Sequence, residues 1–565
     1  MNKAVFLLGN LIFACLYATR VHSQIDEASR QILQQYQRAL VGESEQPLKC
    51  GFTAHGIMHT MAHLDPTMKN LFKISESRPR LPLSYVTPSS RFRFHYTLSG
   101  DSAVARASTI TPNVPDYVYE AGLAAERAYH VLVDSLGFAP HADDDNVDGP
   151  EYDFYIVNFR GSQYGYTDWN FLPPQERGPA FSVIDNDYAE FATRGLEGLR
   201  VTVAHEYFHG VQLNIRIRSD DLFFFEMSST WFEDVAYDHV NDYLNYLPRW
   251  FRDISLPLYT RDGWHEYGSC IWLHYLVKRL EPERFRYRDN IVYNLWQRIK
   301  QESALAAMTT VLRSPSFTDA LGEFYEWCFF TGTRADSVQY FDEGRSYPQI
   351  NFRDRTFAIK HDTTIDAALF ATTAHYYQVT RTGQSARFFI QPSVAENEVA
   401  LWRTTAITRE NAKKYSLQRI NGLTSMDVEA PAKEDTVAVV VVNASPTATG
   451  SQLPPLYKLQ VLLLGQQRLV NALEKPFPNP FRLKQGRMLV VPFRIRQRMR
   501  VEAAIFREDG NVVKRFDQFG ELPAGPHRII WDGVDESGKR VASGVYFLRL
   551  LGADFHETTK FVVIN

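Results

Sequence analysis

Residues 203–213 read VAHEYFHGVQL. His205 and His209 stand four apart, and Glu206 follows the first of them. On a helix that spacing puts both imidazoles on one face, one turn apart, where they can chelate a single Zn2+. Glu206 falls about 100° further round, close enough to take a proton from water held at a metal. Apolar side chains surround the motif from Leu199 to Leu213, so the helix is expected to be buried. Two histidines and a glutamate inside an apolar helix need a partner to offset their desolvation, and a metal supplies it. The motif is still incomplete, because a catalytic zinc site uses three protein ligands.

A third histidine of the metzincin pattern is excluded, since Gln212 and Ile215 stand where that class has its Gly and His. The next acidic candidates lie in DLFFFEMSSTWFEDVAYD, residues 221–238, which holds Glu226 and Glu233. Seven apart, they share a helix face but stand roughly 10 Å from each other along the axis. Only one can bind the same ion. The other, or Asp234 or Asp238, could orient a ligand histidine from behind.

The same segment resembles the third-ligand helix of gluzincin peptidases. There the ligand Glu follows an aromatic, apolar stretch, with a small residue three on and another Glu seven on; Glu226, Ser229 and Glu233 match in that order. The resemblance implies Glu226 as the ligand, with Glu233 as the alternative. It is imperfect: 16 residues separate His209 from Glu226, slightly fewer than usual, and Phe225 replaces the common Asn. Together SVIDNDY (182–188), VTVAHEYFHGVQ (201–212) and WFEDVAYDHVNDYLNYL (231–247) are similar to a family of bacterial secreted zinc metalloproteases, over about residues 80–345. Gluzincins also place a Tyr shortly before a Gly at a helix start, to donate to the developing oxyanion. In GWHEYGSCIWLHYLVKRL (263–280), His265 has the matching offset from Gly268 and Tyr267 the matching chemistry, so both are candidates.

The rest of the chain reads as an exported, modular protein. Its 565 residues exceed what one core usually serves, and 45% hydrophobic with 13% aromatic residues is a globular composition. Net charge is −4 and no basic run is present, which argues against a nucleic-acid partner. Residues 1–23 read as a secretory signal, with Lys3 before an apolar run too short to span a bilayer. No other stretch is long enough to span one. Cys50, Cys270 and Cys328 remain after the signal, which permits one disulfide and one free thiol. None has CxxC spacing, so a cysteine-based metal site is not expected.

Residues 24–80 read as an N-terminal, propeptide-like arm, and 81–348 as an α+β gluzincin-like metalloprotease domain. Period-two strands then predict a β-sandwich over 349–470. The last segment, 475–565, begins at PFPNPF and carries WDGVDESGKRVASGVYFLRL. Its Asp-Gly turns and alternating strands predict a second, Ig-like sandwich. It resembles the FlgD-like Ig domain that closes many proteins exported by the type IX system, which implies an address or anchor and the export machinery as partner. In the loop DDDNVDGPEYD (143–153), Asp144, Asn146 and Asp148 alternate as in a Ca2+ loop, but the twelfth position is Tyr155, which favours a plain acidic turn.

The expectation is therefore a secreted Zn2+ metallopeptidase acting on protein or peptide substrates. His205, His209 and Glu226 would bind the metal, Glu206 would act as general base, and His265 or Tyr267 as donor. The competing expectation is a surface adhesin whose peptidase-like domain keeps the metal as a staple. A fourth protein ligand would favour the adhesin, and an open position the enzyme.

Overall fold

The computed structural model describes residues 27–44, 46–64, 78–169, 171, 175–281, 290–350, 352, 356–358, 363–380, 385–393, 400–410, 414–421, 425–428, 436–446, 454–464, 471–485, 488–496, 498–516, 521–522, 525–553 and 555–565. The expected signal segment lies outside them. The chain divides into two compact units, 1–383 with 387–462, and 384–386 with 463–565.

The first unit opens with α1 (Glu27–Leu40), β1 (Leu48–Cys50) and α2 (Phe52–Leu64). The expected arm is thus part of the core: Ile32, Leu33, Phe52, Ile57 and Met61 are buried in the same cluster as the HEYFH helix. Then come β2 (Leu83–Val86), β3 (Phe92–Tyr96), α3 (Asp116–Tyr129), β4 (Tyr152–Val157), β5 (Gln163–Trp169) and β6 (Ala180–Asp185). These strands form one mixed six-stranded sheet in the order β1-β5-β6-β4-β3-β2. β4 and β6 are nearly continuous apolar runs and bury nearly every residue, as interior strands covered on both faces must. β3 and β4 pair in parallel, and α3 supplies the crossover such a pair needs. β5 runs antiparallel to β6. The three residues of β1 lie parallel to β5 at the sheet's end, with Cys50 opposite Gly165.

α4 (Gly195–Ile215) packs on β5 and β6 and against α3, and α5 (Leu222–Ala236) packs on α4. Both helices are buried almost all round, which is why neither shows a polar face. The helical layer continues through α6 (Leu247–Arg252), the short α7 (His265–Gly268), α8 (Ile271–Leu280), α9 (Ile291–Ile299), α10 (Ala304–Val311) and α11 (Phe317–Phe329). Asn290, Ser303 and Ser316 start the last three as N-caps, each accepting from a backbone N–H three residues on.

Two further sheets follow, β13-β10-β15-β8 and β12-β11-β14-β9-β7, drawn from β7 (Thr356–Ala358), β8 (Thr363–Ala368), β9 (Thr373–Thr380), β10 (Ser385–Ser393), β11 (Trp402–Arg409), β12 (Tyr415–Asn421), β13 (Ser425–Val428), β14 (Thr436–Asn443) and β15 (Leu456–Leu464). The second sheet shares a core with the helices: Tyr376, Ile407 and Val440 join the cluster that holds Phe324 and Tyr325. Tyr376 Oη donates to the Tyr325 carbonyl at 2.6 Å.

The second unit has its own core, built around Phe493, Ile505, Trp531, Leu548 and Phe561. Its strands are β16 (Ala472–Leu473), β17 (Phe481–Arg482), β18 (Leu489–Ile495), β19 (Met499–Arg507), β20 (Val512–Phe516), β21 (Glu521–Leu522), β22 (Gly525–Trp531), β23 (Gly544–Gly552) and β24 (Phe555–Ile564). They form sheets β16-β18-β22 and β17-β24-β23-β19-β20, with β21 on β19. The Asp-Gly turn after β22 needs glycine, since Gly533 has φ +83°. The molecule is thus multidomain, with an α/β N-terminal region and C-terminal β-sheet domains. Among the described residues no helix is long and apolar enough to cross a membrane.

Candidate metal centre

α4 delivers His205 and His209 to one spot, and α5 brings Glu226 against them. His205 Nε2 and His209 Nε2 are 3.1 Å apart, and Glu226 Oε2 lies 3.1 Å from the first and 3.3 Å from the second. All three side chains are essentially inaccessible to solvent. Four ligands held tetrahedrally at the usual zinc distances stand roughly 3.3 Å from one another. The triangle therefore has the size a zinc ion requires.

The surrounding hydrogen bonds settle which nitrogen atoms are free. His205 Nδ1 is 2.6 Å from Glu233 Oε1, a carboxylate that can only accept when ionised, so Nδ1 carries the proton. His209 Nδ1 is 2.7 Å from Gln212 Oε1. The Gln212 amide is oriented by its nitrogen, which donates to the Phe225 carbonyl at 3.2 Å and to Ser229 Oγ at 3.0 Å. Both Nε2 atoms consequently present lone pairs to each other and to a carboxylate oxygen. Three acceptors facing one point in an apolar interior call for a cation. Without one, a proton must fill the gap: burial lowers the pKa of His205, but Glu226 and Glu233 override this and raise it to about 9. Burial likewise works to raise Glu226, yet the two imidazoles hold it well below the ordinary carboxylate value.

Glu233 does not converge on the ion position. Its second oxygen accepts from Lys49 Nζ at 2.9 Å, and that buried ammonium also meets Asp242 at 2.6 Å. Of the other two carboxylates expected to orient the ligands, Asp234 lies 3.9 Å from His274 Nδ1, and Asp238 lines the same cleft beside Tyr243.

Glu206 is fully buried next to the triangle. Its Oε2 accepts from Thr167 Oγ1 on β5 at 2.8 Å, while Oε1 has no hydrogen-bond partner of ordinary geometry among the described residues. Burial raises its pKa, with the two histidines pulling the other way. Room for this carboxyl comes from Gly165, where an added Cβ would stand 3.0 Å from Oε1.

A fourth donor completes the group. Cys50 Sγ, the His205 and His209 nitrogens and a Glu226 oxygen all lie within 4.8 Å of one another. Around it, Thr53 Oγ1 donates to Glu226 Oε1 at 2.8 Å, and the Phe52 ring stacks on His209 with centroids 4.0 Å apart. Cys50, Cys270 and Cys328 are all buried free thiols, so the disulfide that their number permits is not formed. No local cysteine spacing marks Cys50 for this position; it arrives through strand pairing from far along the chain.

Of the two donor candidates, the structure brings Tyr267 to the centre and leaves His265 outside it. The Tyr267 ring is 6.4 Å from that of His205, and its hydroxyl donates to the Cys50 carbonyl at 3.4 Å. Burial, then Glu226 and Cys50, push its pKa well up, so it stays a neutral donor. His265 stacks on Trp250. In the acidic loop, Arg78 pairs with Asp144 and Asp153, and Tyr155 Oη donates to Asp148 at 2.6 Å. A protein cation thus already sits among those carboxylates, close to a second group, His95, Asp148 and Asp153, with the size of a metal site.

Residues 496–553 match the family model of the FlgD Ig-like domain. A comparison with curated proteins finds no match. Among solved structures the chain is similar to PorZ, a surface component of the type IX secretion system of Porphyromonas gingivalis (17% identity, TM-score 0.14, 19% of this chain and 14% of that one). It is also similar to a Parabacteroides merdae β-glucuronidase (11% identity, TM-score 0.16, 35% and 28%) and to tripeptidyl peptidase 2 (7% identity, TM-score 0.15, 37% and 30%). The chain spans under a third of the length of each. Likenesses this slight carry nothing about the centre.

Proposed function

We propose that this chain is an exported zinc peptidase of gluzincin type, with His205, His209 and Glu226 as metal ligands. The observation that carries the reading is the set of three facing acceptors beside the buried carboxylate of Glu206. A zinc ion held there would acidify water to a pKa of about 7 and polarise a substrate carbonyl. Glu206 Oε1 accepts the proton from the attacking water and returns it to the leaving amine. The Tyr267 hydroxyl donates to the carbonyl oxygen as negative charge builds on it. Gln212 and Glu233 fix the two imidazole tautomers, and the Lys49 ammonium keeps Glu233 ionised. The C-terminal FlgD-like domain is the export address, and the signal at 1–23 starts that route.

A second reading is favoured by Cys50. Four protein donors form a closed site, the arrangement of a structural staple in a surface-binding protein. Hydrolysis of a mixed protein digest by zinc-loaded Cys50→Ala, beside the Cys50→Ala/Glu206→Gln pair, separates the two. The peptidase reading expects cleavage by the first and a loss of about 100-fold or more in the second. Equal inertness of both, with zinc bound, leaves only the staple.

A further inference from the structure

Cys50 enters the centre on the outermost strand of the sheet, next to Lys49, whose ammonium holds Glu233. The ligands come from α4 and α5, and the sheet beneath them is complete from β5 to β2 without β1. β1 adds three residues to the outer edge of β5, joined by Leu48 N–H to the Ser162 carbonyl at 2.9 Å and Gly51 N–H to the Gly165 carbonyl at 3.0 Å. An unpaired strand edge is a template for an extended peptide, and this one runs beside Glu206 through Thr167. The intramolecular strand behaves there as a peptide would. Its Cys50 carbonyl takes the Tyr267 hydroxyl, the donor assigned above to a substrate carbonyl, and its side chain reaches the ligand triangle. The buried Glu206 carboxylate neighbours the Cys50 thiol.

Resting on the peptidase reading, we propose that Cys50 is a fourth and displaceable metal ligand, and that β1 seals the centre in a latent state until it leaves the edge of β5. Ligation forms one sulfur–metal bond and releases the thiol proton to the neighbouring Glu206 carboxylate or to solvent. Displacement takes the proton back and opens that position to water. Latency of this form blocks three elements together: the coordination position, the Tyr267 donor and the docking edge.

The test uses the full chain loaded with Co2+. The expected result is a near-ultraviolet thiolate-to-cobalt charge-transfer band, absent from Cys50→Ala while the visible cobalt bands persist, together with at least tenfold faster protein hydrolysis by zinc-loaded Cys50→Ala. Iodoacetamide labelling gives a readout that needs no variant. Cys50 should be protected with metal and labelled at least tenfold faster after chelation, with Cys270 and Cys328 as internal controls. Cobalt bands without the thiolate band, and labelling unchanged by chelation, would overturn the proposal while leaving the peptidase reading intact. A thiolate band with no gain of hydrolysis in Cys50→Ala overturns Cys50 as the ligand whose departure relieves latency. Failure to bind any metal overturns both readings.

Discussion

Glu233 holds His205 by a 2.6 Å hydrogen bond to Nδ1, on the side of the ring away from the ion position. With Glu226 at Nε2, the two carboxylates that sequence spacing left open divide into one that faces the candidate ion position and one that holds the ring from behind. Removing each should therefore have different consequences. Glu226→Ala should lose bound zinc after dialysis, because it deletes a ligand. Glu233→Gln should keep the site but weaken its zinc affinity about 10- to 100-fold. Zinc content and competition with a chromophoric chelator distinguish these; retention of zinc by Glu226→Ala would reverse the assignment.

Tyr267→Phe, made in a Cys50→Ala background so that the fourth coordination position is open, should keep full zinc content. It should lower kcat by about 100-fold with little change in KM, since the hydroxyl acts on charge that exists only in the transition state. His265→Phe in the same background should leave kcat within a few-fold, as His265 packs on Trp250. An equal loss in both variants would mean that packing around α7, and not a donated hydrogen bond, carries the effect.

Gly210 is surrounded by the motif helix, where alanine normally gains about 1 kcal/mol of helix stability. Here a Cβ would stand 2.5 Å from Tyr152 Oη and 2.8 Å from its Cζ. Tyr152 is itself tied to Ser182 Oγ at 2.8 Å and has little freedom to yield. Gly210→Ala should thus destabilise by about 1–3 kcal/mol, read as a lower urea midpoint. A midpoint at or above wild type would show that the ring shifts freely.

His141 makes the first unit acid-sensitive. Burial, opposed by Asp143, lowers its pKa from 6.5 to about 4, and its Nδ1 faces Tyr207 Oη at 3.3 Å. Between these values the unfolded chain binds a proton that the folded chain refuses. Stability is therefore full above about pH 6.5 and falls as pH drops towards 4. Urea midpoints taken across that window should decline less steeply in His141→Gln, the difference reaching about 1–3 kcal/mol at the acid end.

The motif helix was legible because its information is local: the four-residue spacing of His205 and His209 and the apolar surround appear within one stretch. Glu226 was legible by resemblance, and so was the FlgD-like Ig domain, whose turns are written in WDGVDESGKR. Cys50, Lys49 and Thr53 were not. They reach the centre because β1 pairs with β5, and pairing partners carry no mark in a three-residue strand. Gln212 carries a different signal: it stands where a metzincin has glycine, yet a residue three past His209 on a helix is well placed to hold its ring. The arm reads as separate because its prolines and polar helix look detached, yet Phe52 and Met61 are buried in the same core as the motif helix.

The seam between α11 and the strands after it bears on synthesis. Phe324 and Tyr325 complete their surroundings with Tyr376, Ile407 and Val440. A nascent chain that has emerged only to residue 348 must hold those aromatic faces open to water, so the helical region cannot finish folding alone as it leaves the ribosome. A chain cut at the apparent linker would expose these aromatic faces, and the compact unit that holds the candidate site extends to about residue 462.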